Sequence, residues 1–133
     1  MVIWHICKYY GVMPGDEIKD YAAYEAFVAG NLDSPDLFAV MLPCEYLWHW
    51  VASKLQPSAS TEGLYYFWID GNIGTPDGAY QMANMLERYR GRIDEQKALE
   101  IFRTAIEHEL AVFTAATVLT DKISSIWQHE NLH

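Results

Sequence analysis

The sequence predicts an all-α fold, a helical bundle of about six helices. Two observations predict it: apolar residues recur at three- and four-residue steps along successive segments, and no stretch keeps the alternation of a β-strand. With 133 residues, 51% of them hydrophobic, the chain is large enough for one core and too small for two. The prediction is therefore a single domain over residues 1–133.

Turn and capping residues define the first three predicted helices. The first spans about residues 2–10, and the second begins at residue 17 or 19 and ends at Gly30. A third helix is predicted over residues 34–55, because Ser34-Pro35-Asp36 supplies a hydroxyl N-cap, a first-turn proline and a carboxylate at the positive helix end. Pro43 lies inside this helix and cannot donate to the carbonyl four residues earlier, which predicts a kink.

The remaining three helices follow a short linker. An aromatic helix is predicted over residues 61–70 and is ended by Gly71. Thr75-Pro76-Asp77 repeats the capping pattern and starts a fifth helix, which runs to about residue 90. Asp94 caps the long last helix, which either continues past Thr120 or restarts there.

Charge and cysteine content exclude several function classes. The net charge of −9 argues against nucleic acid or an anionic membrane surface as the main partner, because both would repel the protein. No apolar run approaches the roughly 20 residues that span a bilayer, and residues 1–5 lack the features of a signal peptide, so we expect a cytoplasmic protein. A reducing compartment would keep the two cysteines, Cys7 and Cys44, as thiols.

Glu109 is the most unusual residue of the last helix, because it falls inside its apolar stripe. A carboxylate that faces an apolar core loses hydration worth several kcal/mol unless it is paired, hydrogen-bonded or protonated. Its neighbour Glu107 falls on the opposite, exposed side. The stripe around Glu109 comprises Phe102, Ala105, Ile106, Val112, Phe113 and Ala116.

Cys44 occupies a similar position on the third helix, directly after Pro43. Since both helices turn their stripes toward the core, the Cys44 thiol and the Glu109 carboxylate are predicted to meet. The stripe that Cys44 joins comprises Leu37, Val40, Met41, Leu47, Val51 and Leu55.

Several short motifs, in order and approximate spacing, resemble the C-terminal half of the TenA family, also called thiaminase II. The likeness extends from the first predicted helix to about Ala116, with Tyr21 at the position of a family tyrosine. The motifs are Trp4-His5, Gly11-Val12, Leu42-Pro43-Cys44, Lys54-Leu55, Trp68-Ile69-Asp70 and Glu109.

The resemblance implies a haem-oxygenase-like helical architecture and hydrolysis of aminopyrimidines or thiamin in thiamin salvage, with no metal or organic cofactor. It implies that Cys44 is the nucleophile that adds to the pyrimidine ring. Glu109 would exchange protons with a ring nitrogen and its amino group, and Tyr21 would line the pocket. A thiolate near a polarising acid is what such covalent addition requires.

The chain departs from the family pattern at two aligned positions and at its start. Trp48 stands where a tyrosine is usual, four residues after Cys44, and Asn72 replaces a second tyrosine, for which Tyr65 or Tyr66 could compensate. We expect both Trp48 and Asn72 to contact substrate. The family's first helices have no counterpart, so we expect a homo-oligomer, or a second chain, to cover the apolar faces left open.

Alternatives remain for each candidate. Cys44 could be a small core residue, and Glu109 a carboxylate satisfied by a structural network. The chain could then be a non-catalytic module that binds a small planar ligand or serves as a partner subunit. A metal site is disfavoured, because two-carboxylate bundles need Glu-x-x-His on two helices and the spacing occurs here only at Glu130 and His133.

Overall fold

A computed structural model describes residues 14–64 and 66–130, with side chains described as far as Thr117. The helix predicted over residues 2–10, Cys7 and Tyr65 lie outside this part of the chain.

The described chain is an all-α bundle, as the sequence predicts. Its helices are α1 (Asp16–Asn31), α2 (Ser34–Leu55), α3 (Tyr66–Asn72), α4 (Asp77–Arg88) and α5 (Glu95–Glu130). Two short 3-10 turns, Gln56–Ser58 and Arg90–Arg92, follow α2 and α4. No strand is present within residues 14–64 and 66–130. The haem-oxygenase-like arrangement stays a prediction.

Capping residues explain the starts of the two longest helices. The N-cap of α2 is Asp33 and not Ser34, and the main-chain N–H of Asp33 donates to the Asp36 carboxylate at 3.2 Å. An aspartate competes well for this position because its carboxylate also favours the positive end of the helix. The predicted cap of α5 is confirmed, since Asp94 Oδ1 accepts the main-chain N–H groups of Gln96 and Lys97, each at 3.1 Å.

The predicted start and end of α3 were both wrong. Residues 61–64 form turns, in which the Gly63 N–H donates to the Ser60 carbonyl at 2.9 Å. A Cβ at Gly63 would lie 2.9 Å from that carbonyl oxygen, so the turn requires a glycine. At the other end the Ile73 N–H donates to the Ile69 carbonyl at 3.0 Å, and helical hydrogen bonding therefore passes over Gly71.

Glycine also fails to end α1 and α4 where predicted. Gly30 lies inside α1, whose C-cap is Leu32, and Gly91 lies inside the 3-10 turn after α4. The last helix is continuous across Thr120, so of the two alternatives the uninterrupted helix is correct. These differences move boundaries and leave the order of the helices unchanged.

Helix α2 is the centre of the bundle, because it contacts all four other described helices. Helices α1 and α5 also pack against each other, which closes a three-helix group around α2. Small residues, Ala39 on α2 and Ala105 on α5, are buried where these helices approach. The core cluster comprises Tyr21, Val28, Ala39, Val40, Ile101 and Ala105.

A partly buried ion pair fixes the start of α2 against the start of α5. Lys97 Nζ lies 2.6 Å from Asp36 Oδ2, and Asp36 is only 4% exposed. The Asp36 partner raises the pKa of Lys97, so the lysine stays charged. This contact joins the first turn of α2 to the first turn of α5, the two helices that carry Cys44 and Glu109.

Candidate functional site

Glu109 faces the interior of the bundle, as its place in the apolar stripe predicts. It is 3% exposed and follows the buried residues Ile101 and Ala105 at four-residue steps along α5. Glu107, two residues earlier, is exposed. One carboxylate of this helix is therefore kept away from water while its neighbour is solvated.

The Glu109 carboxyl acts by its charge on both the Cys44 thiol and the Tyr21 phenol, and it raises the pKa of each. Cys44 comes from α2, Tyr21 from α1 and Glu109 from α5, so the three packed helices each supply one group. The Tyr21 hydroxyl also donates to the Val40 main-chain carbonyl at 3.5 Å, a long contact. Tyr21 thus lies between the backbone of α2 and the carboxyl of α5.

A second carboxyl, Glu25, joins this group and was missed by the sequence reasoning. Glu25 lies between Tyr21 and Val28 at steps of four and three residues, and both of those residues are buried in the core. Its own side chain is partly buried. The signal that could have found it is the one that found Glu109, a carboxylate inside a core-facing stripe.

Burial and like charge act together on these groups. Burial raises the pKa of the Cys44 thiol, and the negative charge of Glu109 raises it further. Burial and the Glu109 charge likewise raise the pKa of Tyr21 and of Glu25. The thiol and the phenol are consequently neutral at pH 7, and Glu25 holds its proton to a higher pH than an exposed glutamate does.

His108 packs against the two tyrosines of α1 that lie near Glu109. Its ring stacks on Tyr21 with ring centroids 5.5 Å apart and on Tyr24 with centroids 5.3 Å apart. Because His108 precedes Glu109 on α5, the two stacked contacts hold α1 against the segment that carries the buried carboxyl.

Trp48 lies one helical turn beyond Cys44 on α2 and is partly buried. Its ring is tilted against Trp68 on α3, with ring centroids 5.8 Å apart. The indole Nε1 is shielded from solvent and has no hydrogen-bond acceptor among the described residues. A buried donor without an acceptor is costly, so this N–H is a candidate contact for a ligand atom.

Asn72 lies at the end of α3, where both its side chain and its main chain make contacts. Its side-chain Nδ2 donates to the Trp68 carbonyl at 2.7 Å, and its own carbonyl is 3.1 Å from His49 Nδ1. These contacts close the end of α3 and attach it to α2. The described contacts of Asn72 are thus with α3 and His49, and none of them joins it to Cys44 or Glu109; its contact with substrate stays a prediction.

An apolar groove lies away from these residues. It has a volume of about 520 Å³, lies between α2, α4 and α5, and includes neither Cys44 nor Glu109. Tyr46, Trp50 and Tyr80 line it and are each about half exposed. The groove therefore presents apolar and aromatic side chains at the surface.

Two further findings concern metal binding and membrane spanning in the part of the chain that the structure describes. Within residues 14–64 and 66–117, no three His, Cys, Asp or Glu side chains are grouped so that they could hold a metal ion. The described helices include none with the length and apolar character needed to cross a bilayer. Neither a protein-family model nor a curated protein sequence matches the chain.

Proposed function

We propose that the protein is an aminopyrimidine aminohydrolase of the thiaminase II type, acting in thiamin pyrimidine salvage. The observation that carries the proposal is the meeting of Cys44 and Glu109 in the interior, with Tyr21 beside them. A nucleophile beside a carboxyl that can exchange protons with it is what covalent catalysis of this kind requires. The family resemblance supplies the substrate class, and the partly buried Cys44 with the buried Glu109 supplies the chemistry.

The protonation states suggest how the nucleophile forms. Because burial and the Glu109 charge keep the Cys44 thiol neutral, a thiolate does not stand ready before substrate binds. Glu109, in contact with the thiol, can take its proton as the sulfur adds to a ring carbon of the pyrimidine. The proton on Glu109 is then available for the ring nitrogen that gains charge.

The remaining steps follow from the same two groups. With the ring nitrogen protonated, the amine leaves from the exocyclic methylene and water takes its place. The carbon–sulfur bond then breaks, the ring regains its aromaticity, and the proton returns through Glu109 to the Cys44 sulfur. The net reaction consumes one water and releases ammonia, and it needs no cofactor.

Trp48, one helical turn after Cys44 on α2, is proposed to contact the substrate. Its ring offers a stacking surface, and its unpartnered Nε1 offers a donor. Asn72 is proposed to contact the substrate beside Trp48, and its amide also supports α3 through the Trp68 carbonyl.

We also propose that the protein is a homo-oligomer in the cytoplasm. The open apolar face around Tyr46, Trp50 and Tyr80 supports association, because large exposed aromatic patches favour contact with another chain. Light scattering should therefore give a mass of at least two chains. A mass of one chain would refute the oligomer and leave the catalytic proposal in place.

A second candidate function is a non-catalytic helical module that binds a small planar ligand. The observation that favours it is the neutral Cys44 thiol, which is also what a core cysteine would show. Such a module would bind an aminopyrimidine without releasing ammonia.

The experiment that separates the two candidates measures ammonia release from 4-amino-5-aminomethyl-2-methylpyrimidine. Wild type should release ammonia, and Cys44→Ser and Glu109→Gln should each reduce turnover by at least about 100-fold. Glu107→Gln removes the same charge from the exposed face of α5 and should retain full activity. Binding without release by folded wild type would support the non-catalytic module.

A further inference from the structure

We propose that His108 is a positioning residue of this site: the face of its imidazole fixes the ring of Tyr21 and thereby places the Tyr21 phenol relative to the Glu109 carboxyl. The proposal rests on the proposed function for its expected effect on substrate binding, because Tyr21 is expected to line the pocket. The family resemblance assigns no role to His108.

The first support is the geometry of the contact between the two rings. The Tyr21 and His108 rings are nearly parallel, with an interplanar angle of 6° and centroids 5.5 Å apart. This is the offset-stacked arrangement that aromatic side chains favour. Tilting either ring would lose contact area with the other, so the stacking sets the plane of the Tyr21 ring.

The second support is the length of the hydrogen bond that the Tyr21 hydroxyl makes. It donates to the Val40 main-chain carbonyl at 3.5 Å, which is beyond the usual length of a hydrogen bond between two oxygens. Tyr21 is nevertheless only 9% exposed and belongs to the core cluster. Packing of its ring, more than the bond from its hydroxyl, therefore holds this side chain.

The third support is a second ring that holds the imidazole. His108 also stacks on Tyr24, with centroids 5.3 Å apart and an interplanar angle of 30°. Tyr24 lies three residues after Tyr21, so the two tyrosine rings share one side of α1. Two contacts from one helix leave the imidazole little freedom to rotate, and it therefore offers Tyr21 a fixed surface.

The place of His108 in the sequence links this surface to the buried carboxyl. His108 and Glu109 are consecutive residues of α5, so one turn of helix carries both the ring that stacks on Tyr21 and the carboxyl. Burial and the Glu109 charge both raise the pKa of Tyr21, as expected for a phenol near this carboxyl. The backbone of α5 fixes the imidazole relative to the carboxyl, and the stacking fixes the phenol relative to both.

The test replaces the imidazole by another flat ring and by a side chain without one. Nuclear magnetic resonance of protein with isotope-labelled tyrosine should show the Tyr21 ring signals upfield of those of the half-exposed Tyr46, because the His108 ring shields them. His108→Phe should keep this shift, and His108→Leu should lose most of it. The control Glu107→Leu, at the exposed neighbouring position, should leave the shift unchanged.

Kinetics give the reading that a role in packing alone would not move. In an active protein, His108→Leu should raise KM for the aminopyrimidine about fivefold, the factor for one aromatic stacking contact, with little change in kcat. His108→Phe should keep the wild-type KM. In a Tyr21→Leu background, His108→Leu should have no further effect on KM, because His108 acts through the Tyr21 ring.

Unchanged Tyr21 signals in His108→Leu would overturn the inference. A KM in His108→Phe as high as in His108→Leu would do the same, since an imidazole nitrogen and not the ring face would then matter, and so would additive effects in the Tyr21→Leu background. The resonance measurement needs no turnover, so in an inactive protein it alone decides the role of His108, and the inactivity refutes only the aminohydrolase. An active protein whose KM is unchanged in His108→Leu refutes the role of His108 alone.

Discussion

Glu109→Met should stabilise the fold while it abolishes the proposed activity. Methionine has a similar length and fits irregular core space, so the substitution removes a buried carboxyl without leaving a cavity. Glu109 is 3% exposed and has Cys44, Tyr21 and Glu25 as acidic neighbours. Burying a carboxyl among other acidic groups destabilises the fold. If Glu109 is kept for the proposed reaction, replacing it should raise the free energy of unfolding.

The magnitude follows from opposing contributions. Removing a buried carboxylate relieves about 3 kcal/mol of desolvation. Losing its polar interactions with the Tyr21 phenol and the Cys44 thiol costs about 1 kcal/mol each. Burial of the methionine side chain adds about 1.5 kcal/mol. The free energy of unfolding should therefore rise by about 2.5 kcal/mol, which corresponds to a thermal midpoint about 8 °C higher for a chain of this size.

The assay is urea unfolding followed by circular dichroism at pH 7, with Glu107→Met as the matched control. Glu107 is exposed, so its substitution should change the free energy of unfolding by less than about 0.5 kcal/mol. A loss of 1 kcal/mol or more in Glu109→Met would refute the reasoning. It would mean that the carboxyl serves a structural network that the fold needs.

Three other predictions follow from the same site. Peptide-level mass spectrometry should show slow alkylation of Cys44 by iodoacetamide at pH 7, and faster alkylation in Glu109→Gln, because the charge that raises the thiol pKa is gone; equal rates would contradict this. Since the folded pKa of Glu25 is raised, wild type should lose stability as pH rises from below 4.5 through that pKa, and Glu25→Gln should lose less; parallel pH curves would refute it. Val40→Ala should cost about 2 kcal/mol of unfolding free energy, and a cost under 0.5 would exclude Val40 from the core.

Much of the fold could be predicted because the helix signals are local. The bounds of α2 and the Asp94 cap of α5 depend on capping groups within one turn of the helix end. The predicted start of α3, near Gly63, and its predicted end at Gly71 were wrong for a different reason. Whether a glycine ends a helix depends on the hydrogen bonds of residues beyond it, and at Gly71 the Ile73 N–H continues the helix.

The site was only partly predictable, and Glu25 shows why. Helix α1 carries alanines on several sides, and Phe27 is 53% exposed while its neighbour Val28 is fully buried. Hydrophobicity alone therefore does not identify the buried face of α1, and packing against α5 decides it. On α5 the apolar stripe is regular enough that Glu109 stands out. The bond from the Asn72 amide to the Trp68 carbonyl was not predictable from spacing, and the contact of Asn72 with substrate stays a prediction.

The most direct test of the central claim is ammonia release from 4-amino-5-aminomethyl-2-methylpyrimidine by wild type beside Cys44→Ser. The account predicts steady release by wild type and loss of release in the variant, with both proteins folded. Release that survives in Cys44→Ser, or its absence from folded wild type that binds the pyrimidine, would contradict the nucleophilic role of Cys44.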